Sequence, residues 1–192
     1  DGPLAVVLAG ASRSYWAPAA SHLVVVTDAG VAMVPAPTGG APRGGVNPAG
    51  EPWSGITVAD LHAGLDLRPG PSPLQVRARG ALARSLMMAG ALQQATELSI
   101  QYCNEREQFG RPIGKFQVLQ QYLAQMAGEA AAAEAAADNA VDVAAAGAGP
   151  DEALQVIAAA KTVTGRAVGT INRLAHQIHG AIGYTREHAL HR

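Results

Sequence analysis

The chain has 192 residues, of which 48% are hydrophobic and only 15% charged, a balance that builds a packed core and excludes a disordered chain. A net charge of −1 with no basic block argues against nucleic-acid binding, and the single cysteine, Cys103, excludes an intrachain disulfide and fits a reducing, cytoplasmic location. The longest alanine-rich run, residues 130–146, is interrupted by Glu134, Asp138 and Asp142, so it does not read as a membrane span.

Residues 1–71 hold most of the prolines and many of the glycines, between short β-branched runs. These runs are LAVVLAG, SHLVVVTD, GVAMVPA and GITVAD, and each reads as a strand. HLVVVTDAGVAMVP reads as a hairpin turned at Asp28-Ala29-Gly30, while residues 37–55 read as an aperiodic loop. The N-terminus, Asp1-Gly2-Pro3, lacks the basic start of a signal peptide, and the chain is expected to be a piece of a longer polypeptide.

From Ser72 the pattern turns helical. Ser72-Pro73 supplies an N-cap and a proline at the first helical position. Apolar residues then recur at Leu74, Ala78, Ala81, Leu82, Leu86, Ala89, Leu92 and Ala95, which predicts a helix to about Cys103. A second stripe runs Phe116, Leu119, Leu123, Met126, Ala130, Ala133, Ala137 and Val141, and ends at the stop signal GAGP. A third starts at Pro150-Asp151-Glu152, with acids in its first turn, and passes through Leu154, Ile157, Ala158, Gly165, Val168, Ile171 and Ile178. Helices of roughly 28–30 residues, about 42–45 Å long, joined by short connections imply an antiparallel bundle. The fold class is therefore α+β: a partial antiparallel β domain at 1–71, then an up-down helical bundle at 72–192.

Two constellations carry chemistry. The first is NEREQFGRPIGKFQ, residues 104–117. Arg106 there offers paired N–H donors to an anion, Phe109 offers a face to a flat ring, and Gln108 and Gln117 both donate and accept. An ordinary interhelical loop uses the same residues otherwise, with Arg106 paired to Glu105 or Glu107 and both phenylalanines plugging the bundle end. The second is QIHGAIGYTREHALHR, residues 177–192. Here a helix ends at Gly180, Gln177 projects from its last turn, Gly180 and Gly183 permit close backbone approach, and a new helix is expected near Thr185. His176, His179, His188 and His191 cluster in sequence, but no carboxylate or cysteine completes a ligand set, so no metal is expected. Cys103 reads as a core filler and Lys161 as a snorkelling stem or an ion-pair partner.

Together, ReQFGrPIgkFQ and, roughly sixty residues later, QiHGaIGYTrEhaLHR closely resemble the flavoprotein acyl-CoA dehydrogenase family. The resemblance spans the chain: the tail of the middle β domain, then most of the C-terminal helical domain. It implies FAD as cofactor, held across a subunit interface by Arg106 and Phe109, with Gln108 adjacent and Gln117 matching the FQ glutamine. Gln177, His179, Gly180, Ala181 and Gly183 match a turn that approaches the adenine side of FAD. Trp16 takes the aromatic position of the strand that covers the flavin, and Pro18 stands where a hydroxyl residue is usual. Ala181 replaces a glycine, which would cost about 1–2 kcal/mol were its φ positive.

The resemblance also implies the reaction. A carboxylate removes the α proton of an acyl-CoA thioester, and the β hydrogen leaves as hydride to the flavin, whose electrons pass to an electron-transfer flavoprotein. The arginine that helps bind CoA falls at Ala81, with Arg84 and Arg79 beside it. The catalytic glutamate is expected beyond Arg192, and the alternative position on the first helix is Gly80. A homo- or hetero-oligomer sharing FAD sites is implied. The alternatives to a catalytic dehydrogenase are a half-site subunit completing a partner's FAD site, and a non-flavin helical scaffold.

Overall fold

The structure is a computed structural model, and it describes residues 2–37, 44–61, 64–185 and 188–191. The chain packs as two compact units, Asp1–Arg77 and Ala78–Arg192.

In the first unit, β1 (Leu4–Leu8), β3 (His22–Thr27) and β4 (Gly30–Pro35) form one sheet in the order β1-β3-β4. The expected hairpin is present: β3 and β4 pair antiparallel from His22↔Pro35 to Thr27↔Gly30. Period-two alternation puts Ala5, Val7, Leu23 and Val25 on a buried face, where Ala17, Ile56 and Val58 complete the core. The sheet departs from the antiparallel expectation at β1, which runs parallel to β3. Residues 9–21 are long enough to return the chain to the same end, and they contain β2 (Ser14–Tyr15) and a 3₁₀ turn.

Two further readings need correction. The stretch taken as loop holds β5 (Gly44–Val46) and β6 (Pro52–Ser54), which pair antiparallel and join β2 in a second small sheet. Asn47 closes that hairpin, its Oδ1 accepting the N–H groups of Ala49 and Glu51. GITVAD is not a strand. The Thr57 N–H and hydroxyl both donate to the Asp60 carboxylate, at 2.8 and 2.7 Å, and this local bonding winds Val58–Leu61 into a 3₁₀ turn.

In the helical part, α1 runs Pro73–Glu105, α2 Gln117–Ala145 and α3 Pro150–His179. The start of α1 is a reciprocal cap: the Gln75 N–H donates to Ser72 Oγ while Gln75 Oε1 accepts the Ser72 N–H. The core joins Leu92 and Cys103 of α1, Met126, Ala130 and Ala133 of α2, and Ala167, Ile171, Leu174 and Ile178 of α3. A second cluster, Ala140, Ile157 and Ala160, continues the contact of α2 with α3. Alanine on facing stripes lets these two helices approach closely.

The buried stripe of α3 is Ile157, Ala160, Thr164, Ala167, Ile171, Leu174 and Ile178, so the expected members Ala158, Gly165 and Val168 lie outside it. Leu74 and Leu86 of α1 are likewise exposed. Thr164 belongs in the core because its hydroxyl donates to the Ala160 carbonyl one turn back; Ser99 and Thr96 of α1 do the same to Ala95 and Leu92. Beyond α3 the expected helix at Thr185 is absent from the described residues. The chain makes 3₁₀ turns at Gly180–Tyr184 and Ala189–His191, and the Thr185 hydroxyl donates back to the Ile182 carbonyl. No helix among the described residues is long and apolar enough to cross a membrane.

Candidate functional site

The connection from α1 to α2 is a tight hairpin: β7 (Glu107–Gln108) pairs with β8 (Arg111–Pro112), and the turn residues Phe109 and Gly110 have φ of 54° and 78°. Positive φ at both positions matches the strand twist, and asparagine or glycine usually occupies the first. Phenylalanine there carries backbone strain of about 1–2 kcal/mol. Its ring gains no burial in return, since Phe109 is 90% exposed and meets Phe116 only edge-on, at 6.1 Å and 86°.

Arg106, at the base of the hairpin, is exposed, and its guanidinium makes no hydrogen bond or ion pair with the described residues. Its backbone is fixed: the N–H donates to Tyr102 and the carbonyl accepts from Ile113. The ordinary-loop reading holds in part: Phe116 packs against the bundle core, whereas Phe109 is exposed and Glu105 is bonded by Gln101. Gln108 and Gln117 are exposed on either side. The Arg111 guanidinium lies over the Phe116 ring at 4.5 Å.

The second constellation sits at the same end of the helical unit. Tyr102 in the last turn of α1 stacks on His179 in the last turn of α3, ring centroids 4.6 Å apart. Gly180 closes α3 with φ 62° and ψ −142°, a conformation open only to glycine. Ala181 is exposed and does not have positive φ, so its methyl group carries no backbone penalty. Gln177 is exposed. Gly183 serves packing: it is buried, and a Cβ there would meet that of His179 at 3.1 Å.

His179 itself points inward and is 4% exposed. Its Nδ1 bonds the Ala175 carbonyl at 2.8 Å; a carbonyl only accepts, so Nδ1 carries the proton. Nε2 is then a bare acceptor, buried and without a hydrogen-bond partner. Burial pushes the imidazole pKa below the ordinary histidine range; the Ala175 bond opposes this, and His188 and His176 reinforce it. The His188 ring lies 4.5 Å away, and His176 packs on Tyr184 at 4.6 Å. Sequence reading passed over Tyr102 and Tyr184; an aromatic within a turn of each motif was the available signal. Among the described residues no group of three or more His, Cys, Asp or Glu is placed to hold a metal ion.

The remaining candidates lie on other elements. Trp16, in the first unit, has φ 63° and is half exposed. Pro18 lies in the 3₁₀ turn that follows it. On α1, Gly80 and Arg84 are exposed, and Ala81 is half-buried beside the second helical cluster. A Cβ at Gly80 would meet nothing within 4 Å.

The sequence profile described as "Acyl-CoA dehydrogenase, C-terminal domain" matches residues 77–192, and the chain belongs to the acyl-CoA dehydrogenase family. Glutaryl-CoA dehydrogenase of Desulfococcus multivorans is 42% identical over 107 residues, 54% of this chain and 26% of that protein. The 3-sulfinopropanoyl-CoA desulfinase of Paraburkholderia xenovorans (strain LB400) is 41% identical over 103 residues, 54% of this chain and 26% of that protein. The solved ChsE4-ChsE5 complex from Mycobacterium tuberculosis superposes with a TM-score of 0.69 at 24% identity, covering 100% of this chain and 56% of that one. The chain thus matches about a quarter of the length of these curated relatives and about half that of the solved structure.

Proposed function

We propose that the end of the helical unit formed by the Arg106–Gly110 hairpin and the Gln177–Gly183 turn is one half of an FAD site, in a protein that dehydrogenates an acyl-CoA thioester at its α,β bond. The observation that carries this reading is Phe109, an aromatic ring held out to solvent at a strained backbone angle, with the unpaired guanidinium of Arg106 three residues away. Strain at an exposed aromatic has no packing benefit to offset it, whereas a flat, anionic ligand supplies one. Arg106 would balance pyrophosphate charge with paired N–H donors, Phe109 would stack on a ring, and the amides of Gln108, Gln117 and Gln177 would orient the polar edges. When bound, the flavin supplies the redox chemistry by accepting the hydride that leaves the β carbon.

The exposure of Arg106, Phe109 and Gln177 supports a site completed by a second subunit and so an oligomer. Two curated relatives are named for CoA thioesters, which supports an acyl-CoA substrate; Arg84 on α1 is the weaker candidate for holding it. An electron-transfer flavoprotein as electron acceptor belongs to the same reading.

A second reading is favoured by two residues. Gly80 offers no carboxylate at the alternative base position, and Pro18 offers no hydroxyl beside Trp16. Both fit a half-site subunit that completes a partner's FAD site without doing the chemistry. Ala181, which also departs from the family's turn, gives this reading no support, because it does not have positive φ.

The test is the visible spectrum of the full-length protein, purified alone, before and after anaerobic addition of acyl-CoA. A flavin band that bleaches is expected for the first reading. A colourless protein that FAD alone does not reconstitute, but that does so with a partner subunit, selects the second. A protein that binds no flavin under either condition overturns both.

A further inference from the structure

We propose that the imidazole of His179, in ring contact with both Tyr102 of α1 and His188, is an acid-sensitive latch that holds the Gly180–Thr185 turn against the helix ends and releases it on protonation. The latch stands on geometry independent of any cofactor; only its consequence for flavin retention rests on the reading above.

Two ring contacts fasten the turn and the segment after it to α3, and a third joins the end of α3 to α1. His176 packs on Tyr184 of the turn at 4.6 Å, His188 lies 4.5 Å from His179, and Tyr102 stacks on His179 at 4.6 Å and 27°. Gly183 closes the seam against the His179 Cβ. Besides the hydrogen bonds within its 3₁₀ turn, the Thr185 N–H and hydroxyl donate to the Ile182 carbonyl, and the His188 N–H donates to that of Thr185. Ring packing around His176 and His179 thus adds to these bonds in holding the segment against the end of α3.

The His179 imidazole is placed badly for a proton. Its Nδ1 already carries one, given to Ala175, so the second would go to Nε2, which is buried with no acceptor beside it. Among the described residues, the ionisable groups that face it are Tyr102 from α1, His176 on its own helix and His188 beyond the turn. Both histidines disfavour a second cation. The Tyr102 face would attract one, but burial and the neighbouring histidines outweigh it, and the ring resists protonation. An exposed histidine takes up a proton near pH 6.5. Below about that pH the open turn binds a proton that the closed turn refuses, so acid favours opening by up to about tenfold per pH unit, the slope for one proton. Above it the latch is closed and insensitive to pH.

The test is amide hydrogen exchange at Ile182–Thr185 as a function of pH, corrected for intrinsic rates, alongside an NMR titration of the histidine side chains in the same flavin-free protein. The expected result is protection that is flat above about pH 6.5 and falls toward tenfold per unit below it. The His179→Phe variant keeps the ring stack and removes the titration, so its protection is expected to stay flat. Protection in the native protein that does not change with pH overturns the proposal. So does an opening midpoint that follows His176 or His188 while His179 stays neutral, a readout that needs no variant. Flavin retention, measured separately at neutral pH, reports on the FAD site alone and leaves the latch untouched if it fails.

Discussion

Gly183 lies so close to His179 that a methyl group on it would meet the His179 Cβ at 3.1 Å. The contact is tighter than packing normally allows, and one of its sides is a helix that does not yield. Gly183→Ala should therefore push the 180–184 turn off the end of α3 and cost about 1–3 kcal/mol. Ala181→Gly, two residues away, should leave the turn in place and lower stability by under about 1 kcal/mol through chain entropy alone. Thermal unfolding of the two variants checks the contrast; an equal loss in both would mean that packing does not distinguish the two positions.

Arg106 and Phe109 should separate stability from cofactor retention. Arg106→Ala removes a guanidinium that touches no described partner, so unfolding should shift by no more than about 0.5 kcal/mol. Phe109→Gly relieves a positive φ and buries nothing less, so stability should hold or rise by up to about 1 kcal/mol. Both variants should lose flavin strongly on gel filtration of the assembled protein. Full flavin occupancy in both would remove the proposed clamp, whatever the stability result.

The elements that sequence reading located are those whose signals are local. Ser72-Pro73, Gly149-Pro150 and Gly180 sit at helix ends and announce them by cap chemistry within a few residues. Gly44–Val46 could not be read as a strand, because a Gly-Gly-Val segment has no alternation and its partners at Pro52–Ser54 decide its state. The face of α3 was misjudged at Val168 because alanine fills neighbouring stripes, and Ala167 differs from Val168 only in what it meets. The two motifs were visible by their residue types. That Tyr102 brings their ends together, that His179 turns inward, and that the strain lies at Phe109 rather than at Ala181 depend on contacts between helices, which no local pattern encodes.

Cys103 should behave as a probe of folding. It is fully buried at the core of the three helices, and burial pushes its thiol pKa up from 9.0. In the native protein the thiol keeps its proton to higher pH than in the unfolded chain. Stability from this group is thus complete below about pH 9 and declines as pH rises from there toward the native value. A thiol-reactive dye at pH 8 should label the native protein only as fast as it opens, and denatured protein at once. Rapid stoichiometric labelling of native protein would contradict the burial.

Gly80 gives the prediction that bears most on catalysis. It lies on the exposed side of α1, and a Cβ added there meets nothing within 4 Å. Glycine inside a helix costs about 0.5–1 kcal/mol relative to alanine, so Gly80→Ala should stabilise the protein by roughly that amount. Gly80→Glu should fold equally well, because the side chain has room and glutamate is a good helix former. It also places a carboxylate at the alternative base position that the family resemblance identifies. In a full-length protein that holds flavin but does not bleach with acyl-CoA, Gly80→Glu should confer slow bleaching whose rate rises with pH as the carboxylate ionises, near pH 4–5 for an exposed glutamate. Stable protein with no bleaching would place the missing function elsewhere than at this position. Loss of folding would show that the open space at Gly80 is filled when the protein assembles.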